Sequence, residues 1–277
     1  VHRFSLNQIT TKNWTLPEAV AGCAEAGVEW IGLWRDRVAE VGVDTAAALL
    51  RDHGVRASSL CRGGSFTGAG PDGPVADPIG DTAAAIDEAA ALGAPVLVLV
   101  VGGIAGGDLP GSRAAVAGAL EQLAPYAAER GVRLGLEPLH PVQCAERSVL
   151  CTLDQAVDLA EPYPEEVVGV IVDEFHVWWD PRIEAAIARA GRRIAGFHAC
   201  DQLVPLPDPL LGRGLPGEGP IDHRRLLGLA TEAGYTGPVE VEVFNAALWA
   251  RPPKEALASA ITAYRTHVAE PAGTPLP

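Results

Sequence analysis

The chain has 277 residues, 48% of them hydrophobic, which is enough for one large α/β domain to build its core without disulfides or a structural metal. Its 35 acidic residues against 21 basic ones give a formal net charge of −14, which repels a phosphate backbone and argues against a nucleic-acid partner. The five cysteines form no CxxC pair, the N-terminus lacks the apolar core of a signal peptide, and the run APVLVLVVGGIA from Ala94 is too short to span a bilayer; a cytoplasmic protein with no membrane partner is expected.

In chain order, short aliphatic runs alternate with Ala/Leu/Glu-rich amphipathic stretches, the pattern of βα units on a parallel sheet. The predicted strands are residues 3–9, 28–34, 55–61, 95–101, 132–137, 167–173, 193–199 and 238–244. Between them lie helical stretches such as LPEAVAGCAEA, VDTAAALLRDH, DTAAAIDEAAAL and SRAAVAGALEQLAPYAAER. Glycines 27, 54, 93, 131 and 234 each stand just before a strand, where a left-handed residue stops a helix and makes a tight turn. The connections at the other strand ends are longer, above all the Gly/Pro-rich loops after the third and seventh strands. Short turns on one face and long loops on the other predict a single (β/α)8 TIM barrel over residues 1–277, with an irregular tail from about residue 269. An open doubly wound sheet is disfavoured because no GxGxxG follows the first strand.

Strand parity then selects the inward residues. In VRLGLEP the apolar set Val132, Leu134 and Leu136 faces the helices, leaving Glu137 inward with Arg133 and Gly135. The same rule turns Asp173 inward in VVGVIVD. It turns His198 inward in RIAGFHA, with Ala195, Phe197 and Ala199 outward, and both Glu240 and Glu242 inward in PVEVEVF. Glu137, Asp173, His198 and Glu242 thus stand at the C-terminal ends of four successive strands. Three carboxylates beside one imidazole repel each other unless a cation neutralises them; an oxygen-rich set with one nitrogen suits Mn²⁺, Mg²⁺ or Co²⁺ better than a structural zinc. Glu240, one layer deeper, is expected to be structural and paired with Arg133 directly or through water. Trp34, Trp178 and Trp179 offer flat apolar faces for a sugar or an aromatic aglycone, with at least one of them expected in core or lid packing instead, while Trp30 is expected in the core. Arg213, in a Gly/Pro loop, could hold a substrate hydroxyl or carboxylate or pin the loop to an acid; His140 is a similar candidate. Arg62-Gly63-Gly64 and Phe66 are expected to contribute to the pocket wall.

The pieces GLEPLHP, VDEFHVWWDP, FHACD, GRGLPGEGPID and GYTGPVEVEVF resemble, in order, the xylose-isomerase-like TIM barrels, a superfamily of sugar isomerases and epimerases that also holds endonuclease IV. The resemblance covers the second half of the chain. It implies one divalent metal, manganese first with Mg²⁺, Co²⁺ or Zn²⁺ as alternatives, held by Glu137, Asp173, His198 and Glu242. Glu137 and Glu242 would also move protons, and His176 would contact a substrate oxygen. The implied activity is isomerisation or epimerisation of a keto-sugar, keto-cyclitol or related polyol through an enediolate. The alternative is a lyase or dehydratase using the same enediolate, for example in cleaving C-glycosides of 3-keto sugars. Nuclease chemistry would need further histidines, and Cys61-Arg62 and Val101-Gly102 supply none at the third and fourth strand ends. A non-catalytic barrel is the remaining class. The partner is therefore a small carbohydrate-like molecule; a homo-oligomer fits the family's habit of pairing.

Overall fold

The computed structural model describes residues 3–70 and 73–269. Eight parallel strands close a barrel: β1 (Phe4–Asn7), β2 (Trp30–Trp34), β3 (Arg56–Gly64), β4 (Val96–Val100), β5 (Arg133–Leu136), β6 (Val168–Asp173), β7 (Ile194–Ala199) and β8 (Val239–Val241), with β8 hydrogen-bonded back to β1. A helix of at least eight residues follows each strand: α1 (Leu16–Glu25), α2 (Val43–His53), α3 (Pro78–Leu92), α4 (Leu109–Arg130), α5 (Leu153–Ala160), α6 (Ile183–Ala190), α7 (His223–Glu232) and α8 (Pro253–Ala263). The expected barrel is therefore observed, and each predicted strand is present with ends shifted by a few residues. Beyond Ala269 the expected tail lies outside the described residues. No helix among the described residues is long and apolar enough to cross a membrane.

The helix ends follow local chemistry. Thr15 and Glu18 form a reciprocal capping box on α1, and Asp77 and Asp108 accept from the backbone N–H groups of Gly80 and Gly111 to start α3 and α4. Gly54, Gly93 and Gly131 close α2, α3 and α4 at φ near +66°, a conformation that disfavours a side chain. These caps keep the turns on the N-terminal face short.

Two apolar regions hold the barrel. The large one lies between strands and helices, where Leu6, Leu33, Leu134, Val170, Phe197 and Val241 are wholly buried. The small one lies inside: Cys61, Val96, Val98 and Ile171, with Trp34 and Ala195 packed on them. Ala195 thus faces inward, not outward as strict alternation predicts. The register between β6 and β7 shifts at Val170/Ile171, and that irregularity breaks the period of two before His198. The remaining inner wall is polar, with Ser5, Asn7, Ser58, Ser59 and Glu240 all buried.

Glu240 is not paired with Arg133. Its carboxylate accepts from Asn7 Nδ2 at 2.9 Å and from Ser58 Oγ at 2.8 Å, and Ser58 is bonded in turn to Ser5 at 2.8 Å. Arg133, on the first residue of β5, lies at the opposite end of the strand from the loops and donates to the carbonyls of Arg192 and Ile194. Gly32 makes room for this arrangement: a Cβ there would collide with the Glu240 carboxylate and stand 3.1 Å from Asn7 Nδ2. Trp30 is half-buried under the guanidinium of Arg56, 3.8 Å from the ring, and not in the inner core. Phe66 belongs to the core between strands and helices, so it is not pocket wall.

Candidate metal centre and active site

The C-terminal strand ends bring four side chains together. Glu137 follows β5 directly, its N–H tied to Leu99 O at 3.1 Å; Asp173 closes β6; His198 is the penultimate residue of β7; Glu242 follows β8, its N–H tied to Ala199 O at 3.3 Å. One ligand atom from each of Glu137, Asp173, His198 and Glu242 lies within 4.8 Å of all the others, and all four residues are buried. His198 Nδ1 stands 3.2 Å from Glu137 Oε1 and 3.6 Å from Glu242 Oε2. Neither His198 Nδ1 nor Glu137 Oε1 has a hydrogen-bond partner, although both are shut away from solvent. Buried polar atoms are seldom left so, and a shared divalent cation is the partner that would satisfy a nitrogen lone pair and a carboxylate oxygen at once. The donor set fits such an ion.

Arg213 enters from the long loop after β7, where residues 201–202 pair antiparallel with 213–214. Its Nη1 donates to Asp173 Oδ2 at 2.8 Å and Glu242 Oε2 at 2.9 Å, and its guanidinium lies between the rings of Phe175 and Phe244, 4.7 Å and 5.0 Å from their centroids. The loop is thus pinned to two of the acids, one of the two roles the sequence suggested. Electrostatics separate the carboxylates: burial pushes Glu137 above the usual carboxylate range, whereas for Glu242 the same burial is outweighed by Arg213 and His198, which hold it down at about 2.

His176, in the short helix after Asp173, reaches the same space: its Nε2 is 2.9 Å from Arg213 Nη2, and its Nδ1 accepts the His140 backbone N–H at 3.0 Å. Burial lowers the His176 pKa well below its ordinary value, so the ring is neutral. His140 therefore acts on the site through its backbone; its ring stacks edge-on against Trp179, whose indole N–H donates to His176 O at 2.7 Å. Trp178 does not line the cavity. It packs on the outer core and donates to Gln202 Oε1 at 3.2 Å, because the helical turn that points His176 inward carries residue 178 away.

A cavity of ≈ 410 Å³ lies on the other side of the cluster and opens at the opposite end of the barrel, beside Arg133 and Tyr235. The catalytic face has a cavity of ≈ 690 Å³ between the loops after β1, β2, β3, β5, β7 and β8, with Trp34, Arg62, Arg147 and Phe244 in its wall. The same four residues wall a small space of ≈ 20 Å³ that touches Glu137, His176, Arg213 and Glu242. Trp34 is therefore pocket wall, fixed by its indole N–H on Asn7 Oδ1 at 2.8 Å, and Arg62, Gly63 and Gly64 line the larger cavity as expected.

Sequence reasoning missed the triad behind the site. Glu174 and Asp201 flank His223, at 2.6 Å and 3.1 Å, and all three are buried. Asp201 also accepts from the N–H groups of Gly217 and Ile221, so the triad anchors the segment that carries Arg213. Glu174, next to an inward Asp173 and so facing outward into the helical layer, was the available signal. Arg147 was missed as well, since its loop has no strand parity to orient it.

A closed barrel with three acids and a histidine at its mouth defines a class of TIM barrel whose site is built at the C-terminal strand ends. Residues 20–267 match the family model described as xylose isomerase-like TIM barrel, and the chain belongs to that family. A solved structure from Sinorhizobium meliloti 1021 shares 39% identity over 97% of this chain and 99% of its own, with a TM-score of 0.91. The zinc-bound IolI protein superposes with a TM-score of 0.81 over 96% of this chain and 98% of its own, at 20% identity, a likeness of fold. Among curated relatives, a 3-dehydroshikimate dehydratase of Pseudomonas aeruginosa is 35% identical over 163 residues, 56% of this chain and 24% of that enzyme. An inosose isomerase of Bacillus subtilis is 28% identical over 145 residues, 51% of this chain and 50% of that enzyme. The matched segments thus span half or less of these relatives' length.

Proposed function

We propose that the chain is a divalent-metal-dependent enzyme that removes a proton beside the carbonyl of a polyhydroxy ketone and returns it elsewhere, as an isomerase or epimerase of a keto-sugar or keto-cyclitol. The observation that carries this reading is the buried cluster of Glu137, Asp173, His198 and Glu242, with ligand atoms within 4.8 Å and two of them unsatisfied. A cation held there, which we take to be Mn²⁺, would polarise the carbonyl and stabilise the enediolate oxygen. Glu242 and Glu137 face the same space and serve as the acid/base pair: one carboxylate takes the C–H proton, and the other carboxyl group delivers a proton to the opposite face or the neighbouring carbon. His176 donates to a substrate oxygen, Arg213 offsets the acids' charge, and Trp34 and Phe244 shed water from the ring's apolar face. The protein is proposed to work in the cytoplasm, and a homo-oligomer agrees with this reading.

A second reading shares the first step. If the enediolate lies beside a carbon bearing hydroxyl, the second carboxyl group can protonate that hydroxyl as it leaves, giving water and an enone. The similarity to a 3-dehydroshikimate dehydratase favours this dehydratase variant.

The test is metal content by elemental analysis together with solvent deuterium uptake into ketone substrates. One ion per chain and deuterium uptake in the wild type, both lost in Glu242→Gln, are expected. Equal uptake by Glu242→Gln and wild type would refute the acid/base assignment, and absence of any bound metal after reconstitution would refute the centre itself.

A further inference from the structure

Charge is distributed against the chain's average on the catalytic face. The protein carries 35 acids to 21 bases, yet among the described residues the wall of the ≈ 690 Å³ cavity has Lys12, Arg35, Arg62 and Arg147 against Asp36 and Asp81. Asp81 is engaged by Arg35 at 2.9 Å, and Asp36 lies 3.9 Å from Arg37 with its side chain 70% exposed. Arg35 is further committed to Glu88 at 2.8 Å, and Lys12 lies over the Trp249 ring. Arg62 and Arg147 are different in placement: they alone among these four also wall the small space touching Glu137, His176 and Glu242. A ligand with its ketone at the metal cluster therefore meets two guanidinium groups at its other end.

Resting on the proposed ketone chemistry, we infer that the substrate carries a carboxylate, held by Arg62 and Arg147 at the junction of the two cavity spaces. Guanidinium forks match the two oxygens of a carboxylate. A phosphate is the less suitable occupant. Such groups are commonly cradled by backbone N–H groups of a glycine turn, but the N–H of Gly64 is given to Thr82 Oγ1 at 3.0 Å and that of Ser65 to Val100 O at 2.8 Å. Trp34 lies beneath Arg62, with the guanidinium 5.8 Å from the ring centre. The two curated relatives bracket the choice, since 3-dehydroshikimate is a carboxylated cyclic ketone and inosose an uncharged one.

Stopped-flow tryptophan fluorescence of the Mn²⁺-loaded full chain mixed with 3-dehydroshikimate, with inosose and with ribulose 5-phosphate separates the cases, because Trp34 in the cavity wall reports the binding phase ahead of turnover. Wild type should bind 3-dehydroshikimate at least ten-fold more tightly than either other ligand, with an affinity that falls as salt rises. Arg62→Gln and Arg147→Gln should each weaken 3-dehydroshikimate by about 10- to 100-fold and inosose by less than three-fold. Arg62→Lys and Arg147→Lys, which keep the charge, should recover part of the loss and guard against a misfolded glutamine variant. Inosose or the phosphate bound as well as the carboxylate, equal losses for charged and uncharged ligands, or binding of none of the three would overturn the inference. Carboxylate binding with this arginine dependence but without solvent deuterium uptake would retain it and refute the proposed reaction instead.

Discussion

The strongest consequence of the site's charge balance is a stability that depends on which cation is present. Arg213 is 4% exposed and bridges two acids, Asp173 and Glu242, that are themselves shielded from water. Replacing it with methionine keeps an apolar stem but removes the guanidinium, with its charge, from beside Phe175 and Phe244. Breaking a buried ion pair by deleting one partner costs about 3–5 kcal/mol, because the remaining charge loses both water and its counter-charge. For 277 residues, an unfolding entropy of about 2.1 cal/mol/K per residue sums to roughly 0.6 kcal/mol/K, so the melting temperature should fall by about 5–9 °C. That fall belongs to protein stripped with EDTA. With Mn²⁺ in excess a second cation neutralises the same acids, and the deficit should shrink to less than about half. Differential scanning calorimetry of wild type and Arg213→Met, each with EDTA and with Mn²⁺, measures all four values. A stripped-protein deficit below 2 °C, or one of equal size with and without metal, would show that Arg213 is not the counter-charge of the cluster.

Three other outcomes follow from neighbouring contacts. Gly32→Ala should destabilise the chain by about 1–3 kcal/mol in urea unfolding, since the new methyl group overpacks the Glu240 carboxylate, and wild-type stability would refute the close approach. Glu240→Gln should cost about 1.5–3 kcal/mol by weakening the charged acceptor of Asn7 and Ser58, while the folded variant keeps its metal; loss of the ion would show that Glu240 is a ligand. In the triad, burial lowers the His223 pKa but Asp201 and Glu174 raise it further, to about 9, and burial raises Glu174 to about 7. A raised histidine stabilises fully below its unfolded pKa of about 6.5 and loses that contribution up to about 9, and a raised glutamate loses stability between about 4.5 and 7. Urea midpoints should therefore decline from pH 6.5 to 9, and a His223→Gln variant should lack that decline; an unchanged slope would remove the triad from the explanation.

The barrel was legible because two independent periodicities agree: glycine-stopped helices of 3.6 period and apolar strands of period two. Parity then oriented Glu137, Asp173, His198 and Glu242, because the residue before each (Leu136, Val172, Phe197, Val241) is apolar and faces outward. It failed at Ala195, where a register shift intervenes, and it gave no direction for Trp178, which lies past the strand on a helical turn. It paired Glu240 with Arg133 wrongly because parity gives the side of a strand and not the height: Arg133 opens β5, whereas Glu240 lies opposite His198. The starts of α3 and α4 were read late because Asp77-Pro78 and Asp108 with Pro110 look like loop until the aspartate is recognised as a cap. Loop residues such as Arg147 have no periodicity, so only the folded chain places them.

The contact between His176 and Arg213 bears on how a substrate would be held under the proposed chemistry. Neutral imidazole has one N–H and one acceptor nitrogen. Nδ1 faces the His140 backbone N–H at 3.0 Å, and Nε2 faces Arg213 Nη2 at 2.9 Å. Both neighbours are donors, so whichever tautomer is present, one nitrogen turns its own N–H toward another. The backbone amide is fixed, so under the proposed chemistry it is Arg213 Nη2 that would give way while Nη1 keeps its bonds to Asp173 and Glu242. A substrate oxygen placed between them relieves the conflict: Nε2–H donates to it, Arg213 donates to it from the other side, and the His140 amide keeps Nδ1 as acceptor. Under the proposed chemistry, His176→Ala should therefore weaken substrate binding by up to about ten-fold, the scale of one neutral hydrogen bond, while leaving metal stoichiometry unchanged. His176→Asn, which can still donate, should recover part of that affinity. If the alanine variant binds substrate as well as wild type, His176 serves only to hold Arg213 against the acids.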